Sequence, residues 1–114
     1  MYMPEITTIK LNKEFKRAYY QGKFKAHPLL VTYRVKNRAR KPRLGITTSK
    51  KIGCAVKRNR ARRIIRAAYR ELCAEGAVAG SWDFVFVARP DTPGAKTPDV
   101  KRVMRKQLEL LARL

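Results

Sequence analysis

Between Glu14 and Glu71 the chain contains no acidic residue. That stretch, residues 15–70, holds 19 of the 28 lysines and arginines, and the whole chain of 114 residues carries a formal net charge of +20. Like charges at this density repel one another, so a compact fold requires counterions or a polyanion to neutralise them. Nucleic acid is the commonest partner with enough charge density, and an anionic membrane is the alternative. The chain is not a disordered basic tail, because 45% of its residues are hydrophobic, enough to supply a core. Its length predicts one domain, 1–114.

The membrane alternative is the weaker one. No apolar run approaches the roughly 20 residues needed to span a bilayer. The start of the sequence has no basic region followed by an apolar stretch, so a cytoplasmic location is expected. Cys54 and Cys73 suit that compartment as reduced thiols. With His27 as the only histidine, there is no Cys/His set for a zinc site, and no cluster of acid–base or metal-ligating residues marks a catalytic centre.

Residues 1–10 read as extended or poorly ordered, with 1–9 the candidate disordered segment. Asn12 is a suitable N-cap, and Phe15, Ala18 and Tyr19 repeat at i, i+3, i+4, which predicts a helix over 12–20 closed by Gly22. Lys23–Lys25 is a candidate short strand. His27–Pro28 breaks the pattern, and His27 reads as a loop residue. Alternation from Leu29 to Lys36 predicts a strand. A second strand is expected over 43–48, after a basic connection ending in Pro42, and the two are expected to pair antiparallel. Residues 49–56 read as irregular. The longest helical signal spans 56–74 and ends at Gly76. Trp82–Ala88, apolar, aromatic and β-branched, predicts a buried strand. A proline-rich loop follows, then a final helix with Thr97 as N-cap, Pro98 first and Asp99 second. This order predicts an α+β sandwich, a sheet covered by helices.

The 56–74 helix carries the sharpest local signal. At about 100° per residue, Arg58, Asn59, Arg62, Arg63, Arg66 and Arg70 fall within an arc of about 140°. Ala61, Ile64, Ile65, Ala68 and Leu72 occupy the opposite side, and Arg60 sits at the border. A solvated helix face ordinarily mixes signs and gains from acid–base pairs one turn apart. Here Arg58, Arg62 and Arg66 repeat one turn apart without an acid, which costs helix stability unless phosphates supply the missing charge. The planar guanidinium binds phosphate oxygens with two parallel bonds and stacks on bases. Lys50 and Lys51 extend this surface, and Gly53 is either a plain turn residue or a site of close approach or unusual backbone. The stripe alone does not separate DNA from RNA. Its position between strands disfavours a helix–turn–helix protein, while basic surfaces combined with sheet aromatics are an RNA-binding arrangement. Phe15, Tyr19 and Tyr33 are the candidate aromatics, with core packing as the competing reading.

The run Arg43 to Arg66 resembles the signature of the protein subunit of bacterial ribonuclease P. It contains Ser49-Lys50-Lys51-Ile52-Gly53, Ala55-Val56, Arg58-Asn59-Arg60 and Arg62-Arg63-Ile64-Ile65-Arg66. The flanks agree over about residues 10–112: an N-terminal helix with an aromatic pair and closing glycine, Leu30-Val31-Thr32-Tyr33, and the strand from Asp83 to Arg89. Two positions depart. Ala67 stands where the family usually has an acid, with Glu71 one turn later, so a helix ion pair is lost or moved. Cys54 stands where small or polar residues are common.

The resemblance implies an αβββαβα fold with a sheet of about four strands and a left-handed βαβ crossover. It implies a role in removing the 5′ leader from precursor tRNA, with the catalytic centre and most of the magnesium in the RNA subunit and no catalytic or metal-binding residue in this chain. Arg58, Asn59, Arg60, Arg62, Arg63 and Arg66, approached by Lys50 and Lys51 and continued by Arg70, are then expected to face the catalytic RNA. Phe15, Tyr19 and Tyr33 are expected to line the leader cleft. The expected partners are that RNA, with one monomer of protein per RNA, and the leader; neither DNA nor a membrane is expected. The competing reading is a structural RNA-binding protein, such as a ribosomal component.

Overall fold

The computed structural model describes residues 6–114. Element order is α1 (Asn12–Gln21), β1 (Lys23–His27), β2 (Leu30–Lys36), β3 (Arg43–Thr47), α2 (Ala55–Ala74), β4 (Trp82–Ala88) and α3 (Thr97–Ala112), with single 3-10 turns at Lys50–Ile52 and Thr92–Gly94. This is the expected αβββαβα order.

The strand pairing differs from the expected hairpin. The sheet order is β1-β2-β4-β3. β2 pairs antiparallel with β4, from Leu30 opposite Ala88 to Lys36 opposite Trp82, and β3 pairs parallel with β4. A strand between two others needs apolar side chains on both faces, and Phe84, Val85 and Phe86 give β4 that character. β2 and β3 therefore flank β4 instead of each other. The connection from β3 through α2 to β4 is the βαβ unit to which the family resemblance attaches a left-handed crossover.

Alternation along the strands divides the core in two. Leu30, Leu44, Phe84 and Phe86 face α2 and α3, where they meet Ile65, Tyr69, Leu72, Val100 and Met104 in the larger cluster. Val35 and Val85 face the other way and pack with Ala18 of α1, Ile9 and the rings of Phe15, Tyr19 and Tyr33. α1 thus covers one face of the sheet, and α2 and α3 cover the other. Gln107 of α3, almost fully buried, accepts from the Thr32 hydroxyl and donates to the carbonyls of Lys25 and Leu30, tying α3 to the edge strand β1 and its neighbour β2.

Two helix starts move by a residue. The N-cap of α1 is Leu11, not Asn12, because the Leu11 carbonyl already accepts from the Glu14 and Phe15 amides; the Leu11 amide in turn donates to the Glu14 carboxylate at 3.4 Å. For α3 the cap is Lys96, not Thr97, because the Lys96 carbonyl already accepts from Asp99 and Val100. The N-terminal segment is also more ordered than expected over its described part. Thr8 bridges Leu44 in parallel, the Ile9 amide donates to the Leu44 carbonyl at 2.8 Å, and Ile9 is buried. The free edge of β3 supplies these bonds; residues 1–5 lie outside the described part.

Candidate nucleic-acid interface

The apolar side of α2 is packed as its periodicity predicts: Ala61, Ile65, Ala68 and Leu72 are fully buried. This fixes the rotation of the helix and turns Asn59, Arg60, Arg62, Arg63 and Arg66 outward, with Arg58 and Arg70 half-buried at the margins. Buried Tyr69 interrupts the basic arc between Arg58 and Arg62 and stands edge-on to Phe86 at 5.7 Å. Asn59, Arg62, Arg63 and Arg66 line a groove of about 440 Å³. The Asn59 side-chain oxygen accepts from Arg62 at 2.8 Å, holding the guanidinium in place. Among the described residues, no carboxylate lies within ion-pair distance of the α2 arginines.

Lys50 and Lys51 are exposed in the 3-10 turn just before α2. The Ser49 hydroxyl accepts from the Lys51 amide. Gly53 ends this turn at φ 126°, ψ −150°, a region that side chains other than hydrogen make costly. The unusual-backbone reading of Gly53 is the one the structure adopts. Cys54 is exposed at the start of α2, Cys73 is half-buried, and both thiols are free.

Phe15 and Tyr19, one turn apart on α1, and Tyr33 of β2 converge on the α1 face of the sheet. The Tyr19 and Tyr33 rings are 5.1 Å apart and edge-to-face. The Tyr19 hydroxyl is hydrogen-bonded to the Thr47 hydroxyl. Phe15 can lie flat on the sheet because residue 45 is glycine: a Cβ there would stand 2.8 Å from the Phe15 ring. The three rings are only partly buried and pack against the smaller core cluster, so they serve the core and also leave surface open. Phe15, Tyr19, Asn12, Ile46, Thr47, Thr48 and Arg62 line a second groove of about 350 Å³. Arg62 therefore borders both the arginine groove and the aromatic cleft, which makes one continuous surface of the two.

Not every basic residue in the acid-free stretch belongs to that surface. Arg43 and Arg17 converge on Asp83, whose side chain is fully buried. Arg43 makes two bonds to Asp83, at 2.7 and 2.8 Å, and a third to Glu14 at 2.6 Å. Asn37 donates to the same Asp83 carboxylate at 2.8 Å. Burial alone would raise the Asp83 pKa; the hydrogen bonds from Arg43 and Asn37 and the charges of Arg43 and Arg17 outweigh it and hold the carboxyl below its ordinary range. The Asp83 hydrogen bond is also the main reason the Arg43 guanidinium is held charged. This network ties α1 to β3 and β4 and so sets the position of Phe15 and Tyr19. Sequence patterns did not reveal it, because its members are spread over residues 14–83 and each reads locally as a surface charge.

The donor set of the described residues does not fit a magnesium site. Among the described residues, no three His, Cys, Asp or Glu side chains come together, and Glu14 and Asp83 are already committed to arginines. His27 is engaged in its turn, its Nδ1 accepting from the Leu29 amide at 3.0 Å. Among the described residues, no helix is long and apolar enough to cross a membrane.

Residues 3–113 match the family model described as Ribonuclease P. The chain is 37% identical over 97 residues to the ribonuclease P protein component of Clostridioides difficile (strain 630), covering 85% of this chain and 84% of that one. With the component from Clostridium botulinum (strain Langeland) it shares 40% identity over 96 residues, covering 84% and 86%. The solved Staphylococcus aureus RNase P protein superposes with a TM-score of 0.77 at 29% identity, covering 93% of this chain and 95% of that one. Sequence and fold agree: this chain belongs to the ribonuclease P protein family.

Proposed function

We propose that this chain is the RNA-binding subunit of a cytoplasmic ribonuclease P and that its two grooves divide the work. Lys50, Lys51 and the α2 residues Arg58, Asn59, Arg60, Arg62, Arg63, Arg66 and Arg70 neutralise phosphates of the catalytic RNA. Phe15, Tyr19 and Tyr33 receive the single-stranded 5′ leader of precursor tRNA, where stacking is sequence-tolerant because every base offers a π face. The observation that carries this reading is the position of Arg62, which lines both grooves. A strand held on the aromatic cleft then runs directly onto the arginine face, bringing the leader beside the RNA that cuts it.

The reaction hydrolyses one phosphodiester, freeing the leader and leaving a 5′-phosphate on the tRNA. Magnesium, which supplies charge stabilisation at that phosphate, is held mainly by the RNA. The protein contributes positioning and electrostatics: it offsets the repulsion between leader and catalytic RNA and thereby favours their assembly with magnesium. One monomer binds one RNA.

Reconstitution tests this. The protein alone is expected to leave precursor tRNA intact, and addition of the catalytic RNA is expected to restore 5′ processing. Magnesium-dependent cleavage by protein free of RNA would refute the division of labour. Affinity for the catalytic RNA should also fall steeply between about 50 and 200 mM salt; a flat response would remove the phosphate contacts.

A further inference from the structure

Phe24 is an exposed aromatic in a place where exposure is a liability. It lies in β1, the edge strand of the sheet, and is 55% exposed. An apolar side chain on a sheet edge invites unwanted strand pairing. Its ring stacks on Tyr33, directly opposite in register, with centroids 5.3 Å apart and planes 29° from parallel. Tyr33 in turn meets Tyr19, which reaches Thr47 on the far strand β3. The three rings form a row across the whole width of the sheet, on the α1 face, from the Arg62 end of the cleft to the open edge.

We propose that Phe24 is a further stacking position for single-stranded RNA, carrying the cleft past Tyr33 and over the edge of the sheet. This rests on the leader-binding reading of Phe15, Tyr19 and Tyr33. The occupant follows from continuity with that cleft and from the charge of the chain, +20, which favours a polyanion over an apolar peptide. The row starts beside Arg62, so the bases that reach Phe24 are those farther from the cleavage site. Phe24 therefore acts only on leaders long enough to cross Tyr33. A cross-strand aromatic pair that merely stabilised the hairpin would show no such dependence on leader length.

The test uses holoenzyme reconstituted with the catalytic RNA and a series of precursor tRNAs whose leaders differ by single nucleotides, with 2-aminopurine placed at successive leader positions. Phe24→Ala and Phe24→Leu, the latter keeping apolar contact with Tyr33, are expected to weaken binding of long-leader substrates about tenfold, with the loss confined to those leaders. Phe24→Trp is expected to restore it, and quenching of the distal 2-aminopurine is expected to vanish in Phe24→Leu. An equal loss at every leader length would overturn the proposal and make Phe24 a folding residue. No loss in the Phe24 variants, while Tyr33→Ala weakens binding, would overturn it and leave the cleft reading standing. No loss in Tyr33→Ala or in the Phe24 variants would remove both.

Discussion

α2 and α3 lie against the same face of the sheet, and both are rich in cations, yet their charges do different things. On α3, Lys101 reaches Glu71 at 3.1 Å and Glu75 at 2.5 Å, Arg105 reaches Glu75 at 2.6 Å, and Arg102 lies 3.5 Å from Asp99. On α2, among the described residues, none of the outward arginines has a carboxylate partner. Glu71 and Glu75, the acids that serve Lys101 and Arg105, come from the C-terminal end of α2 and its cap. Glu71 links the two helices through Lys101 instead of pairing along α2. A paired cation holds protein to protein, whereas an unpaired one remains available to a phosphate. Net charge predicts that a polyanion binds; the pairing pattern separates, among the described residues, cations already held by carboxylates from those left open.

The largest expected effect comes from emptying the unpaired face. Arg62, Arg63 and Arg66 replaced together by alanine should lower affinity for the catalytic RNA by two to three orders of magnitude at moderate salt, and should reduce the slope of log affinity against log salt by roughly two. The fold should survive, since these side chains are exposed and alanine favours helix. Filter binding across a salt series, with circular dichroism as control, checks both; an unchanged slope would break the contrast between the helices.

Asp83→Asn removes the carboxylate at the centre of this network, leaving Arg17 without its partner and Arg43 with Glu14 alone. Removing the charge that Arg43 and Arg17 share should destabilise the protein by about 3 kcal/mol, read by urea unfolding, and should loosen α1 and weaken leader binding. The pH dependence has a definite sign. Because the folded carboxyl is held below its ordinary value of 3.8, its stabilisation is complete above that value. It is lost as pH falls through the lower folded pKa. The wild type should therefore keep the α1 clamp to acid pH below the ordinary carboxylate range, and Asp83→Asn should lose that part of the acid response.

The smallest effect is expected on α3. Lys101→Ala and Arg105→Ala break exposed pairs, so the melting temperature should fall by no more than a few degrees and the salt slope for RNA binding should stay unchanged. A slope reduced as much as by an α2 arginine would show that α3 also touches RNA.

Much of this molecule is legible one element at a time. Periodicity locates the helices and the buried β4 strand, and the arc of Arg58, Asn59, Arg62, Arg63, Arg66 and Arg70 on the other side from Ala61, Ile64, Ile65, Ala68 and Leu72 follows from helix geometry alone. The expected pairing of β2 with β3 gives way to pairing of each with β4, because adjacency in sequence says little about which strand is apolar enough for the centre. Tyr69 escaped the wheel because a long ring at the margin of a face can still reach the core. Phe24, a single aromatic between lysines, has no period of its own; its significance arises only from Tyr33 across the ladder.

The sequence by itself determined the sign and density of the charge, the amphipathic rotation of α2 and the family signature from Arg43 to Arg66, because these depend on local spacing and composition. Tertiary structure alone decided that Arg17 and Arg43 turn inward to Asp83, that Phe15, Tyr19, Tyr33 and Phe24 share one face, and that Arg62 joins the two grooves. Such contacts connect residues tens of positions apart, and their geometry exists only after the strands have chosen partners and the helices have packed on the sheet.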